Sequence, residues 1–246
     1  MIIAAISDIH GNHDALKAVL ADIARSGAER IACLGDVVGY GAEPRQCIAA
    51  VRDAAAWTVA GNHDYGAVGR LDLEFFNANA RRAIEWTAGQ LAPDERRWLS
   101  ALPSARQGDD DGCDLVAVHS TPFHPEDWHY ILSIDEAEYQ FERFTRHLCL
   151  VGHSHQPVFW QLSPAGECSV VGREYLRLEP GRRYIINAGS VGQPRDGDPR
   201  ACYALCDSGR QEIVIRRVEY DIGAAQKKIL RAGLPPRLAE RLAYGA

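Results

Sequence analysis

Apolar and polar positions alternate along this chain in blocks whose lengths predict its elements. Ile2 to Ile6 is an unbroken apolar run closed by the polar stretch Ser7–Asn12, which predicts a short buried strand followed by a loop. Leu16, Val19, Leu20 and Ile23 then recur on one helical face, with Gly27 as the stop. Ile31–Leu34 repeats the strand pattern and ends at Gly35-Asp36. A second helix is expected from Pro44, because proline suits the first helical turn. Trp57–Ala60 reads as a third strand, ended by Gly61-Asn62. Strand, loop and helix in this order predict βαβ units around a mainly parallel sheet.

Leu73–Gln90 and Pro93–Ala101 carry helical spacing with few breakers. Beyond the turn-rich Gly108–Gly112 the period shortens. Leu115–Val118, Leu148–Val151, Val158–Leu162, Tyr184–Ile186, Ala201–Cys206 and Ile213–Val218 read as strands, and this half is expected to form a second, mixed or antiparallel sheet. A helical tail, Ile222–Tyr244, is broken at Pro235-Pro236. With no repeats and no low-complexity linker, residues 1–246 are expected to form a single domain of the α/β class, and 46% hydrophobic residues suffice for one sizeable core.

Composition narrows the function classes. The formal net charge of −6 provides no basic footprint for nucleic acid. The seven cysteines include no C-x-x-C pair, which fits reduced, mostly buried thiols better than zinc ligation. The first apolar run is too short for a signal segment and has no basic flank, and no stretch approaches the ~18 apolar residues of a membrane span. A cytoplasmic protein that does not engage a membrane is the expectation. Nothing in the pattern fixes an oligomeric state.

The informative polar residues fall where predicted strands end. Asp8 and His10 follow the first, Asp36 the second, and Asn62, His63 and Asp64 the third; His119 follows the strand from Leu115, and His153 and His155 the strand from Leu148. Ligands of open α/β sheets gather at the carboxyl ends of strands, so these side chains are expected to converge. Two carboxylates, one amide and four imidazoles hold too much nitrogen for a calcium or magnesium site and suit manganese, iron, zinc, cobalt or nickel. Seven ligands exceed one tetrahedral ion and would serve two, with Asp36 as the bridge. Two such ions activate water near neutral pH and clamp both oxygens of an in-line displacement, so no protein nucleophile is needed. His63 is then a candidate to stabilise or protonate the leaving oxygen, with Asp64 orienting its ring. Singly, Asp8 and Asp64 read equally well as helix caps and Asn62 as a turn residue. Together the blocks favour metal.

Read in order, Asp8-Ile9-His10, Gly35-Asp36, Gly61-Asn62-His63-Asp64, His119 and Gly152-His153-Ser154-His155 resemble the motifs of the calcineurin-like metallophosphoesterase superfamily. Asn187-Ala188-Gly189-Ser190-Val191-Gly192-Gln193-Pro194-Arg195 further resembles a block of its small bacterial and archaeal phosphodiesterases, with Ala188 where proline is usual, a change expected to loosen the turn. The resemblance implies a four-layer α/β/β/α sandwich with two central mixed sheets. It implies one metal on Asp8, His10, Asp36 and His155 and another on Asp36, Asn62, His119 and His153, with His63 catalytic. It also implies hydrolysis of a phosphodiester or phosphoanhydride, of a small nucleotide-type substrate, by a metal-bridging hydroxide, with manganese the favoured activator. A scaffold that keeps the fold without the chemistry, and a nuclease, are the competing functions.

Four further residues are candidates for substrate contact. Asn12 either caps the first helix or reaches a phosphate. Ser190 and Arg195 lie in a glycine-rich loop that either only turns or also holds phosphate. Trp128, within Pro122–Tyr130, either packs or joins an aromatic rim with Phe123, His124, His129 and Tyr130. His13 and His147 are expected to be surface or cap residues.

Overall fold

The structure, a computed structural model, describes residues 1–110 and 113–246. In chain order its elements are β1 (Ile2–Ile6), α1 (His13–Ser26), β2 (Arg30–Cys33), α2 (Pro44–Ala54), β3 (Trp57–Thr58), α3 (Asn62–Ala67), α4 (Ala78–Gln90) and α5 (Pro93–Ala101). There follow β4 (Ala105–Asp110), β5 (Cys113–Val118), α6 (Ile134–Phe141), β6 (Leu148–Val151), β7 (Val158–Leu162), β8 (Cys168–Gly172), β9 (Tyr175–Arg177) and β10 (Arg183–Asn187). The chain closes with β11 (Ala201–Asp207), β12 (Glu212–Val218), α7 (Ile222–Arg231) and α8 (Pro236–Glu240).

Two six-stranded mixed sheets result, in the orders β3-β2-β1-β11-β12-β9 and β4-β5-β6-β10-β7-β8. β1, β2 and β3 run parallel, as do β5, β6 and β10. The division differs from the one the sequence suggested. β11 and β12 do not join the second sheet; β11 pairs antiparallel with β1, Ile3 opposite Cys206 and Ala5 opposite Ala204. Strand periodicity fixes which residues share a face but not which strand lies alongside, so this pairing was invisible.

Three apolar cores separate four layers. On β1, Ala4 and Ile6 face helices α1 and α2, while Ile3 and Ala5 face the other sheet. On β6, Leu148 and Leu150 enter the space between the sheets, while Cys149 and Val151 pack outward with Phe141 of α6. Strands buried on both faces explain why the sequence shows continuous apolar runs rather than alternation. The expected four-layer sandwich is thus present.

Smaller departures have local causes. The expected Leu73–Gln90 helix is interrupted: a 3-10 turn covers Leu73–Phe75, and Asn77 caps α4 by accepting from Asn79 and Ala80. The third strand is shorter than expected, and Asn62 opens a helix instead of a turn. Gly108–Asp110 extend β4, and residues 111 and 112 of the expected turn lie outside the described residues. Cys33, Cys47, Cys149 and Cys202 are free and buried, Cys206 is buried, and Cys168 is free and half-buried. No helix among the described residues is long and apolar enough to cross a membrane.

Candidate metal centre

The carboxyl ends of β1, β2, β5 and β6 meet in one buried cup. Backbone bonds stitch its loops together: Asp8 N–H donates to Gly35 O, His10 N–H to Asp36 O, Gly152 N–H to His119 O, and Gly192 N–H to Asp8 O. Asp8, His10, Asp36, His119, His153 and His155 are all buried, and Asn62 is half-buried. All seven expected ligands therefore come together.

The backbone turns sharply to achieve this. Asp8, His10, Asp36, His153 and His155 have positive φ, between 50° and 65°. Non-glycine residues adopt that conformation at a cost of about 1–3 kcal/mol each, and such strain gathers at functional sites. Gly61 and Gly39 make the space. A Cβ on Gly61 would lie 2.0 Å from Asp36 Oδ1, and one on Gly39 would lie 2.4 Å from His63 Nδ1.

Each ligand imidazole is pinned by a main-chain carbonyl. His10 Nδ1 bonds Val38 O at 3.1 Å, His119 Nδ1 bonds Leu34 O at 2.8 Å, His155 Nδ1 bonds Gln193 O at 2.6 Å, and His153 Nε2 bonds Trp128 O at 2.9 Å. A carbonyl only accepts, so those four nitrogens carry the protons, and a neutral ring must present a bare lone pair on its other nitrogen. Those other nitrogens confront one another in pairs. His10 Nε2 lies 3.2 Å from His155 Nε2, and His119 Nε2 lies 3.2 Å from His153 Nδ1. Two lone pairs cannot hydrogen-bond each other; burial keeps His10 and His155 both neutral, so their conflict is complete, while Asp36 and Asp8 favour a second proton on His119 that would relieve the other pair. A cation shared by each pair resolves the conflict, because two nitrogens each about 2.1 Å from one ion sit about 3 Å apart at a near-right angle.

Carboxylates complete both pairs. Asp8 Oδ1 lies 3.3 Å from His155 Nε2, and Asp36 Oδ2 lies 3.5 Å from His10 Nε2 and 3.3 Å from His119 Nε2. Asp36 thus approaches one imidazole of each pair, as Asp8 Oδ1 does more distantly, 3.8 Å from both His10 and His119 Nε2; Asp36 Oδ1 accepts from His63 N–H at 2.8 Å. Asp8 Oδ1 and Asn62 Oδ1 are buried with no hydrogen-bond partner. Unmatched buried oxygens are costly unless something else takes the lone pairs. The donors fall into the clusters Asp8-His10-His155 and Asp36-His119-His153, and His63 also lies within ligand range of His10 and Asp36. On each count the residues fit two divalent ions.

The side chains alone are electrostatically unbalanced. Burial pushes the Asp8 carboxyl up to about 6, whereas Asp36 is held well below the usual carboxylate range because the neighbouring His119, His63 and His10 outweigh its burial. Burial also pushes His63 down to about 4 and His153 down to about 3, His119 adding to the latter. His119 alone rises, to about 9, because Asp36 and Asp8 outweigh its burial. Bound cations would be the largest charges here and would override this pattern.

The accessory residues are placed less as the sequence suggested. Asp64 does not orient His63. Its oxygens accept from Val38 N–H at 3.2 Å and Gly61 N–H at 3.0 Å, bracing the loops that carry Asp36 and Asn62. His63 Nδ1 is buried without a partner. Asn12 takes the capping role: Oδ1 accepts from Ala15 N–H, and Nδ2 donates to Gly192 O and Tyr220 Oη, leaving nothing for a phosphate. The Ser190 hydroxyl is likewise spent, donating to Asp8 O and accepting from Gln193 N–H. Arg195 lines the cavity over the cluster with Asp36, Tyr130 and His63, and its Nε is buried and unpartnered. Trp128 packs edge-on against Tyr65 and His119, while its carbonyl holds His153. Ala188 does not loosen its turn. Its N–H donates to Val151 O at 3.0 Å, a bond proline cannot make, so the β10–β6 ladder runs one residue further.

Tyr40 and Phe76 were missed. The Tyr40 ring centroid is 4.5 Å from that of His10 and 4.4 Å from that of His63, and Phe76 meets His63 edge-on at 5.2 Å. The glycines flanking Tyr40 in Gly35-Asp36-Val37-Val38-Gly39-Tyr40-Gly41 were the available clue.

A two-sheet sandwich whose strand ends deliver paired imidazoles and a shared carboxylate defines the class. The chain belongs to the calcineurin-like phosphoesterase superfamily, whose domain model matches residues 1–210. It is 42% identical over 245 residues to an uncharacterized protein of Methanocaldococcus jannaschii, MJ0912, covering 99% of this chain and 98% of that one. The crystal structure of a metallophosphoesterase from Sphaerobacter thermophilus superposes with a TM-score of 0.87 at 41% identity, covering 100% of this chain and 99% of the other. Hypothetical protein PH1004 from Pyrococcus horikoshii OT3 shares the fold, with a TM-score of 0.81 at 21% identity over 100% of this chain and 98% of its own.

Proposed function

We propose that the protein is a binuclear metallophosphoesterase that hydrolyses a small phosphodiester or phosphoanhydride, its substrate of the nucleotide type. The observation that carries this reading is the pair of imidazole confrontations, His10 with His155 and His119 with His153, each at 3.2 Å and each tied from behind to a carbonyl. Two divalent transition ions, manganese being favoured, would supply Lewis acidity toward the phosphate and a water acidic enough to attack at neutral pH.

The chain's own residues do the remainder. Asp8, His10, Asp36 and His155 would hold one ion and Asp36, Asn62, His119 and His153 the other. Arg195, the guanidinium over the cluster, is assigned to a non-bridging phosphate oxygen. His63 is assigned to the leaving oxygen, stabilising its charge or passing it a proton. Gly39 leaves the room that His63 requires. Tyr40 and Phe76 wall the ring in, which fixes its direction and excludes water. Asp64 caps the start of α3, on which Asn62 and His63 sit, by accepting from Gly61 N–H.

The test is metal content and turnover together. Two equivalents of manganese per chain, with chelator-sensitive hydrolysis of bis-p-nitrophenyl phosphate or a nucleotide diester, is the expected result. Two metals with silence across phosphodiesters, phosphomonoesters and phosphoanhydrides would sink the enzyme reading and leave a metal-binding scaffold.

A further inference from the structure

Beside the metal cluster opens a cavity of unlike character. It has a volume of about 520 Å³, begins at Asn62 and His153, and runs outward between Phe75 and the segment Trp128–Tyr130. Its walls are largely aromatic, the exposed Glu126 and Asp127 also line it, and no lysine or arginine does among the described residues. Across the Trp128–Tyr130 segment lies a second cavity of about 730 Å³, bordered by His129, Leu132, Tyr139, Asp135 and Glu136 and again without a lysine or arginine among the described residues. Phe75, Tyr130, Leu132 and Tyr139, four of the nine large exposed apolar side chains among the described residues, edge these two spaces. Such a concentration of exposed apolar surface marks a binding surface. Arg195 lines the space over the metal cluster instead.

We propose that the aromatic cavity receives the leaving alcohol of the substrate, and that this alcohol is flat or apolar and bears no negative charge. The inference rests on the phosphoesterase reading and narrows it. A neutral base-bearing alcohol would stack on these walls, and a cationic one would also meet the ring faces and the carboxylates. A leaving group with further phosphates would bring its charge against Glu126 and Asp127, with no lysine or arginine among the described residues of the wall to offset it and only His129, 4.0 Å from Asp127, beside them. Diesters carrying one negative charge at the scissile phosphate are therefore substrates, and polyphosphates are poor ones. The reaction balances with water alone. A bond from water oxygen to phosphorus forms, the bond to the alcohol oxygen breaks, and one proton passes to that oxygen.

Aryl methyl phosphodiesters test this, with the ring unsubstituted or carrying a meta carboxylate or a meta trimethylammonium, each rate normalised to leaving-group acidity. The manganese-loaded enzyme is expected to show kcat/KM about tenfold lower for the carboxylate ester than for the unsubstituted one, two carboxylates near the ring sufficing at an intermediate dielectric. The trimethylammonium ester should equal or exceed the unsubstituted one. Raising the salt concentration should shrink the carboxylate penalty in the unaltered enzyme. Glu126→Gln with Asp127→Asn should cut it to about twofold at unchanged metal content. A carboxylate ester cleaved as readily as the neutral one, or a penalty untouched by salt and by both substitutions, would overturn the proposal while leaving the phosphoesterase standing. Failure to cleave any of the three esters would instead tell against the phosphoesterase reading.

Discussion

The cup that gathers the candidate metal ligands and the rim that surrounds it are built on opposite plans. In the cup nearly every polar group is buried, pinned by a main-chain partner and held on strained backbone at the end of a central strand. In the rim Phe75 is 80% exposed, and Trp128–Tyr130 lie in a loop outside any strand or helix. The cup would perform one reaction and tolerates little change. The rim chooses what is presented to it and is free to vary, in keeping with function carried on loops around a rigid frame.

Changes in the cup should therefore be severe and those in the rim graded. Asp36→Asn is the largest: it weakens the carboxylate proposed to bridge the two ions. Metal content should fall to one ion or none and kcat by at least about a thousandfold, read by elemental analysis beside turnover. Retention of two ions with near-normal activity would break the assignment of Asp36 as bridge. His63→Ala comes next. It should lower kcat by about a hundred- to ten-thousandfold with both ions retained, the usual range for a positioned acid or base. Equal metal loss in this variant and in Asp36→Asn would show His63 to be a ligand. Phe75→Ala, at the rim, should act more on KM than on kcat, by about three- to tenfold, with the melting temperature almost unmoved. A loss as deep as that of His63→Ala would erase the distinction between cup and rim. Smallest is Ala188→Pro, which deletes the N–H bond to Val151 O while leaving every ligand in place. It should cost about 1 kcal/mol in denaturant unfolding without altering metal content, and an increase in stability would show that bond to be dispensable.

Much of this division was legible in the sequence, for a physical reason. A metal ligand must be one of a few residue types, and a strand end must follow an apolar run, so Asp8, Asp36, His119 and His153 announced both identity and place. Pairing partners were not legible, because β11 looks the same whichever sheet it joins. Nor were residues that serve through the backbone. Val38, Leu34, Gln193 and Trp128 each hold an imidazole by a carbonyl, which every residue possesses. Asp64 was misread because an acid beside a histidine suggests a side-chain partnership, whereas here two backbone amides claim it. Tyr40 escaped notice because a tyrosine between glycines carries no pattern until the loop folds over His10 and His63.

The antiparallel seam between β1 and β11 also governs the order of assembly. Ile2 pairs with Asp207, and the amino group of Met1 reaches the Ser208 hydroxyl across 207 positions of chain. During synthesis β1 waits beside β2 with one edge open until β11, about two hundred positions on, has emerged, whereas His10 waits for His155 over only 145 positions. So remote a pairing implies slow folding and an early intermediate with an exposed apolar strand edge. The candidate metal donors are therefore all synthesised before the β1–β11 seam can form.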